Sequence, residues 1–123
     1  MNTFKIPNTQ VFEEKVTDEF SYLVNEFKFS NPVILSKKNE YRDRLVYFKD
    51  KVAIEISNSW YPSDYGFEVN IYPDRRLFDV PNDSNPNHKM VYYKIKEQQN
   101  KSLSFILEGA KALRIFLIDK GVV

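Results

Sequence analysis

Residues 44–57 read R-L-V-Y-F-K-D-K-V-A-I-E-I-S. Val52, Ile54 and Ile56 alternate with Ala53, Glu55 and Ser57, the period of two that belongs to a strand whose faces meet different surroundings. Residues 44–48 form a second strand-like run, and K-D-K at 49–51 is short and polar enough to turn the chain back on itself as a tight hairpin. Two sets compete for the buried face of the first strand, Leu45 with Tyr47 or Val46 with Phe48. A slip of one residue exchanges them, so the register stays open at this point.

The same period extends outward from the hairpin. F-E-V-N-I-Y at 67–72 sets Phe67, Val69 and Ile71 against Glu68, Asn70 and Tyr72. P-V-I-L-S at 32–36 is a shorter strand candidate, and V-Y-Y-K-I-K at 91–96 reads either as a fifth strand or as the lead into a last helix. Alternation of this kind predicts an antiparallel sheet with one face wet.

On either side the period changes. Residues 9–29 place Val16, Phe20, Leu23, Val24 and Phe27 on one helical face, with Asn8 or Thr9 able to cap the start and S-N-P at 30–32 ending the run. Residues 102–120 place Leu103, Ile106, Leu107, Ala110, Leu113 and Leu117 on one stripe, with Gly121 where a C-terminal cap belongs. Phe105, Ala112 and Phe116 widen that stripe, so this helix is expected to be the more buried of the two. The expected fold is α+β: a two-layer sandwich, with a meander of 4–5 strands packed against an N-terminal and a C-terminal helix, as one domain over residues 1–123.

Composition narrows the function. With 18 basic and 17 acidic residues there is no charge excess to hold a polyanion, so nucleic acid is not an expected partner. The charges are nonetheless sorted: 1–29, 30–51, 52–88 and 89–123 carry net −2, +3, −4 and +4. Such blocks either pair within the fold or make oppositely charged faces that steer protein partners. There is no cysteine, which removes disulfides, thiolate metal sites and thiol nucleophiles from consideration and fits a reducing cytoplasm. M-N-T-F-K-I-P-N-T lacks an apolar stretch behind a basic flank, so no secretory signal is expected, and no apolar run reaches membrane-spanning length.

Reactive constellations are sparse. His88 is the one histidine and sits in the turn-rich stretch 74–90, without an orienting partner nearby in sequence. Asp74, Asp79 and Asp83 share that stretch, yet their spacing matches no calcium loop and the glycine such a loop needs is missing. Three glycines in the chain cannot build a phosphate cradle. A non-enzymatic protein without a cofactor or metal is therefore the expectation. The alternative is a metal-dependent, nuclease-like hydrolase using Asp74, Asp79 and His88.

S-N-S-W-Y-P-S-D-Y-G-F at 57–67 places four aromatic rings in a turn between two strands. Phe67 and Tyr65 share the parity of the core face and read as structural. Trp60 and Tyr61, with Tyr41, read either as a lid on the end of the core or as anchors for a protein partner, which Asp64, Arg75 and Arg76 would orient. Self-association as a homodimer, through an edge strand at 32–36 or through this turn, is a further expectation.

A leading helix, the hairpin L-V-Y-F-K-D-K-V-A-I-E-I and a closing helix together resemble the layout of small cytoplasmic bacterial α+β proteins found beside toxins, including immunity proteins of contact-dependent and polymorphic toxin systems. The resemblance implies an inhibitor that works by binding another protein. It transfers no functional residue, because the shared pattern is an alternation around a turn.

Overall fold

The computed structural model describes residues 9–36, 42–59, 66–75, 89–95, 98–99 and 102–120. Five strands, β1 (Val33–Ile34), β2 (Arg42–Lys49), β3 (Val52–Ser59), β4 (Phe67–Tyr72) and β5 (Lys89–Lys94), pair in chain order as an antiparallel meander. Helices α1 (Thr9–Glu19) and α2 (Ser21–Asn25) precede the sheet, and α3 (Ser104–Lys120) follows it. The α+β arrangement is the one expected, and V-Y-Y-K belongs to a true fifth strand. No helix among the described residues is long and apolar enough to cross a membrane.

The length of one turn decides the register. Lys49 pairs with Val52, so the β2–β3 connection has two residues, and Asp50 adopts the positive φ (51°) that such a turn demands. Tyr47 then stands opposite Ile54, and Leu45 opposite Ile56. Cross-strand partners share a face, so all four point toward the helices and are fully buried. A three-residue turn would have sent Val46 and Phe48 there instead. Those two lie on the other face, with Ala53 and Tyr72.

The first helix is broken where continuity was expected. Phe20 leaves helical geometry (φ −100°, ψ 15°), and a one-turn α2 resumes behind it, which keeps Phe12, Val16, Phe20 and Leu23 all inside. The segment ends at Lys28, whose φ of 65° reverses the chain so that the Phe29 amide donates to Leu23 O at 2.8 Å. This stop comes before the S-N-P expected to supply it. Thr9 Oγ1 donates to Asp43 Oδ1 at 2.9 Å, tying the start of α1 to β2.

Phe67 is the hub of the helix side. Its ring meets Phe105 (5.1 Å), Tyr92 (5.9 Å) and Phe12 (6.2 Å) edge to face, so one residue joins β4 to both long helices and β5. Helix α3 comes this close because Gly109 faces the sheet: a Cβ there would sit 2.7 Å from Phe67 Cε2. Tyr22 locks the helices together, donating its hydroxyl to Ala110 O at 2.6 Å.

Alternation alone predicts a wet second face, but that face of the sheet is covered. Val46, Ala53, Glu55, Ser57, Asn70 and Tyr72 point away from the helices and are nevertheless buried. Polar and apolar residues alternate there as expected, but polarity does not mean exposure.

Candidate functional site

Among the residues proposed for metal chemistry, Asp79 and His88 lie outside the described residues, and Asp74 is half-buried just beyond β4. No group of three or more His, Asp or Glu able to hold a metal ion exists among the described residues. Of the partner-binding set, Tyr41, Trp60, Tyr61, Asp64 and Arg76 also lie outside the described residues.

Arg75 is described, and it is exposed. Its guanidinium carbon lies 4.1 Å from the centre of the Phe48 ring, its amide donates to Lys51 O at 2.5 Å, and Nη1 donates to Asp50 O at 3.4 Å. With Asp50, Lys51 and Asp74 it lines a hollow of about 320 Å³. This is the β2–β3 turn end of the sheet. The described neighbours of Tyr41 and Trp60, which are Arg42 and Ser59, pair with each other at the opposite end, where the Ser59 amide also donates to Gly66 O at 3.0 Å. Eight residues of strand separate Lys51 from Ser59, roughly 25 Å at the strand rise. The structure does not bring Arg75 to the end of the sheet where the Trp60 stretch begins.

Ionisable groups do gather on the second face of the sheet. Arg44 Nε donates to Glu55 Oε2 at 2.5 Å, Arg42 Nη2 stands 3.7 Å from the same oxygen, and the Tyr72 hydroxyl donates to Oε1 at 3.4 Å. Asn70 Nδ2 donates to Glu68 at 2.9 Å. Burial, with the nearby Glu55 carboxylate second, pushes the Tyr72 phenol well above its ordinary pKa, so it stays a neutral donor. A carboxylate whose oxygens already receive a guanidinium and a phenol is fixed in place. Its bonds cross-link β2, β3 and β4.

Helix α3 supplies the surface that the sequence reading missed. Phe105, Ile106, Gly109, Ala110, Leu113 and Leu117 form its buried side, while the outer side mixes Glu108, Lys111 and Asp119 with aliphatic residues. At about 100° per residue, Leu107 falls about 200° away from Gly109, so it turns outward rather than joining the buried stripe. Leu107, Ile115 and Ile118 are 38%, 60% and 62% exposed, with Lys111 between them on the same side. The helix is the more buried of the two long ones, as expected, and it carries an exposed apolar row besides.

Ile115 of that row borders β5, an edge strand of the described sheet. The N-terminal half of α3 is tied down by Glu108, which accepts from the Tyr92 hydroxyl and lies 3.4 Å from Lys94 Nζ. The Tyr92 hydrogen bond, then Lys94, holds the Glu108 carboxyl below its ordinary range. Toward the C-terminal half, α3 and β5 leave between them a groove of about 590 Å³ floored by Met90, Val91, Ala112, Ile115 and Phe116 and rimmed by Lys89, Asp119 and Lys120. Met90 is half exposed. A groove with an apolar floor, few polar groups and an adjoining strand edge is suited to holding protein.

A second groove, of about 870 Å³, runs along the other edge of the sheet between α1 and β1. Val11 and Ile34, 46% and 53% exposed, are its apolar residues, and Glu13, Glu14 and Asp18 make it acidic. No protein-family model, no curated protein and no solved structure matches the chain.

Proposed function

We propose that the protein is a non-enzymatic protein-binding protein. The observation that supports it is the exposed row of Leu107, Ile115 and Ile118 with Met90 alongside: large aliphatic side chains held in water on a rigid helix and an edge strand. In its finer form the reading makes the chain a cytoplasmic inhibitor of the immunity type. The layout of helix, meander and helix supports that form, as does the lack of cysteine. Trp60, Tyr61 and Tyr41 then serve as a second contact.

Affinity capture from the native cell tests the reading with three baits: the unmodified chain, Ile115→Ser/Ile118→Ser, and Trp60→Ala. A partner held by the first bait and lost from either variant, with melting temperature unchanged, supports it. Baits that all recover the same proteins count against it, and a large loss of stability in Trp60→Ala assigns that ring to the core instead.

A further inference from the structure

The two grooves lie at the two edges of one sheet, and their charges are opposite. Among the described residues the α1–β1 groove offers Val11 and Ile34 with Glu13, Glu14 and Asp18, and Lys15 on its rim has its amine 2.9 Å from Glu19. Among the described residues the α3–β5 groove offers Met90, Ile115 and Phe116 with Lys89 and Lys120 against Asp119. Each presents exposed apolar side chains, Val11 and Ile34 in one and Met90 and Ile115 in the other, flanked by an edge strand.

Like grooves match poorly. Among the described residues, two α1–β1 grooves would face six carboxylates toward one another, and two α3–β5 grooves would set four lysines against two aspartates, so a two-fold dimer through either is disfavoured relative to an acidic–basic pairing. Lysines beside an exposed edge strand are themselves a device against self-pairing of that edge. Acidic against basic satisfies both rims and buries both floors.

We infer that the α3–β5 groove of one copy receives the α1–β1 edge of a second copy, so that the chain associates head to tail through unlike grooves. The inference rests on the reading of α3–β5 as a protein-binding face and names its occupant. The contact is heterologous, so each copy keeps one groove of each kind open and association continues to chains or a closed ring instead of stopping at two. The strand ends next to Tyr41 and Trp60 take no part in it, and a further protein partner could still be engaged there.

Sedimentation velocity on the full chain tests this from micromolar to millimolar concentration at low and high salt. The expected result is a mass that grows with concentration past the dimer and falls back as salt screens the rims. Ile34→Glu and Ile115→Lys each remove an exposed apolar contact while keeping the sign of their groove, and each alone should weaken association by about tenfold or more. Mixed together, the two variants should form a dimer and stop, because one intact groove of each kind remains between them. Glu14→Lys mixed with Lys120→Glu should likewise recover what each has lost. An unmodified chain that stays monomeric throughout overturns the inference and leaves the binding reading to the capture experiment. A dimer indifferent to Ile34→Glu, or a mixture that stays monomeric, overturns it as well.

Discussion

The two faces of the sheet are both buried, by opposite means. The helix side is mainly hydrocarbon, Leu45, Tyr47, Ile54, Ile56, Phe67, Val69 and Ile71 against Phe12, Phe20, Phe105 and Leu113, with Asp43 and Asn58 buried at one end. The second side holds Val46, Ala53 and Tyr72 around the Arg44–Glu55 ion pair and Asn70. An apolar face gains from burial as such, whereas a polar face only recovers what desolvation takes from it. The difference should therefore show in how each responds to losing one side chain.

Phe67→Ala is expected to be the most damaging substitution, costing about 3–5 kcal/mol, because the ring fills the junction of four elements and helices held by Gly109 and Tyr22 cannot collapse into the space. Urea unfolding measures it. A loss below about 1 kcal/mol would mean that the junction is not packed as described.

On the second face, Glu55→Ala should cost about 3 kcal/mol, since it takes from the buried Arg44 guanidinium the carboxylate that offsets its desolvation. The discriminating variant is the double replacement Arg44→Met/Glu55→Leu, expected to be near neutral or stabilising, because the pair only offsets its own desolvation. Should the double variant be as unstable as the single one, the ion pair contributes net stability and the contrast between the faces fails.

Gly109→Ala probes the closest approach on the helix side. Overpacking against Phe67, Tyr92 and Val69 costs about 1–3 kcal/mol, and the better helix former returns about 1, so a net loss of about 1 kcal/mol is expected. In a Phe67→Leu background the loss should shrink, since the ring atom at 2.7 Å is gone. Equal losses in both backgrounds would place the crowding elsewhere.

Most of the fold was legible because periodicity survives in a single sequence. The β4 span matched residue for residue, and β3 ran only two residues longer than expected. The register was hidden in one residue of turn length: K-D-K read as three loop residues or as two gives opposite faces, and only the Lys49–Val52 pair distinguishes them. The break at Phe20 left no trace in composition, because the residues on either side keep helical spacing. The α3 surface was hidden for another reason. Leu107, Ile115 and Ile118 are as apolar as the buried stripe beside them, so composition does not say which aliphatic residues fall outside its edge, and the contact of Gly109 with Phe67 that marks the inner side is not visible in one sequence. Glu55 was assigned to water on alternation alone, and nothing local to it announces that its face is covered.

The smallest expected effect isolates burial from chemistry. Glu26 and Arg114 make a carboxylate–guanidinium pair at 2.6 Å, much like Glu55 and Arg44, but their side chains remain 51% and 41% exposed. The Arg114 hydrogen bond holds the Glu26 carboxyl below its ordinary 4.5. A lowered carboxyl contributes stability that is present above its unfolded pKa and is lost as pH falls through the folded one. Glu26→Gln should therefore be slightly less stable than the unmodified chain at neutral pH and indistinguishable from it once Glu26 is protonated. The small gap should also close in high salt, where an exposed pair is screened. Arg114 keeps its place over the Tyr22 ring, 5.4 Å from its centre, so the variant loses an attraction without stranding a charge in the interior. Thermal melts of both chains across the acid limb, at low and high salt, give the comparison with Glu55→Ala directly. If Glu26→Gln destabilises as much as Glu55→Ala, the cost of losing a partner does not come from desolvation, and burial is not what distinguishes the two pairs.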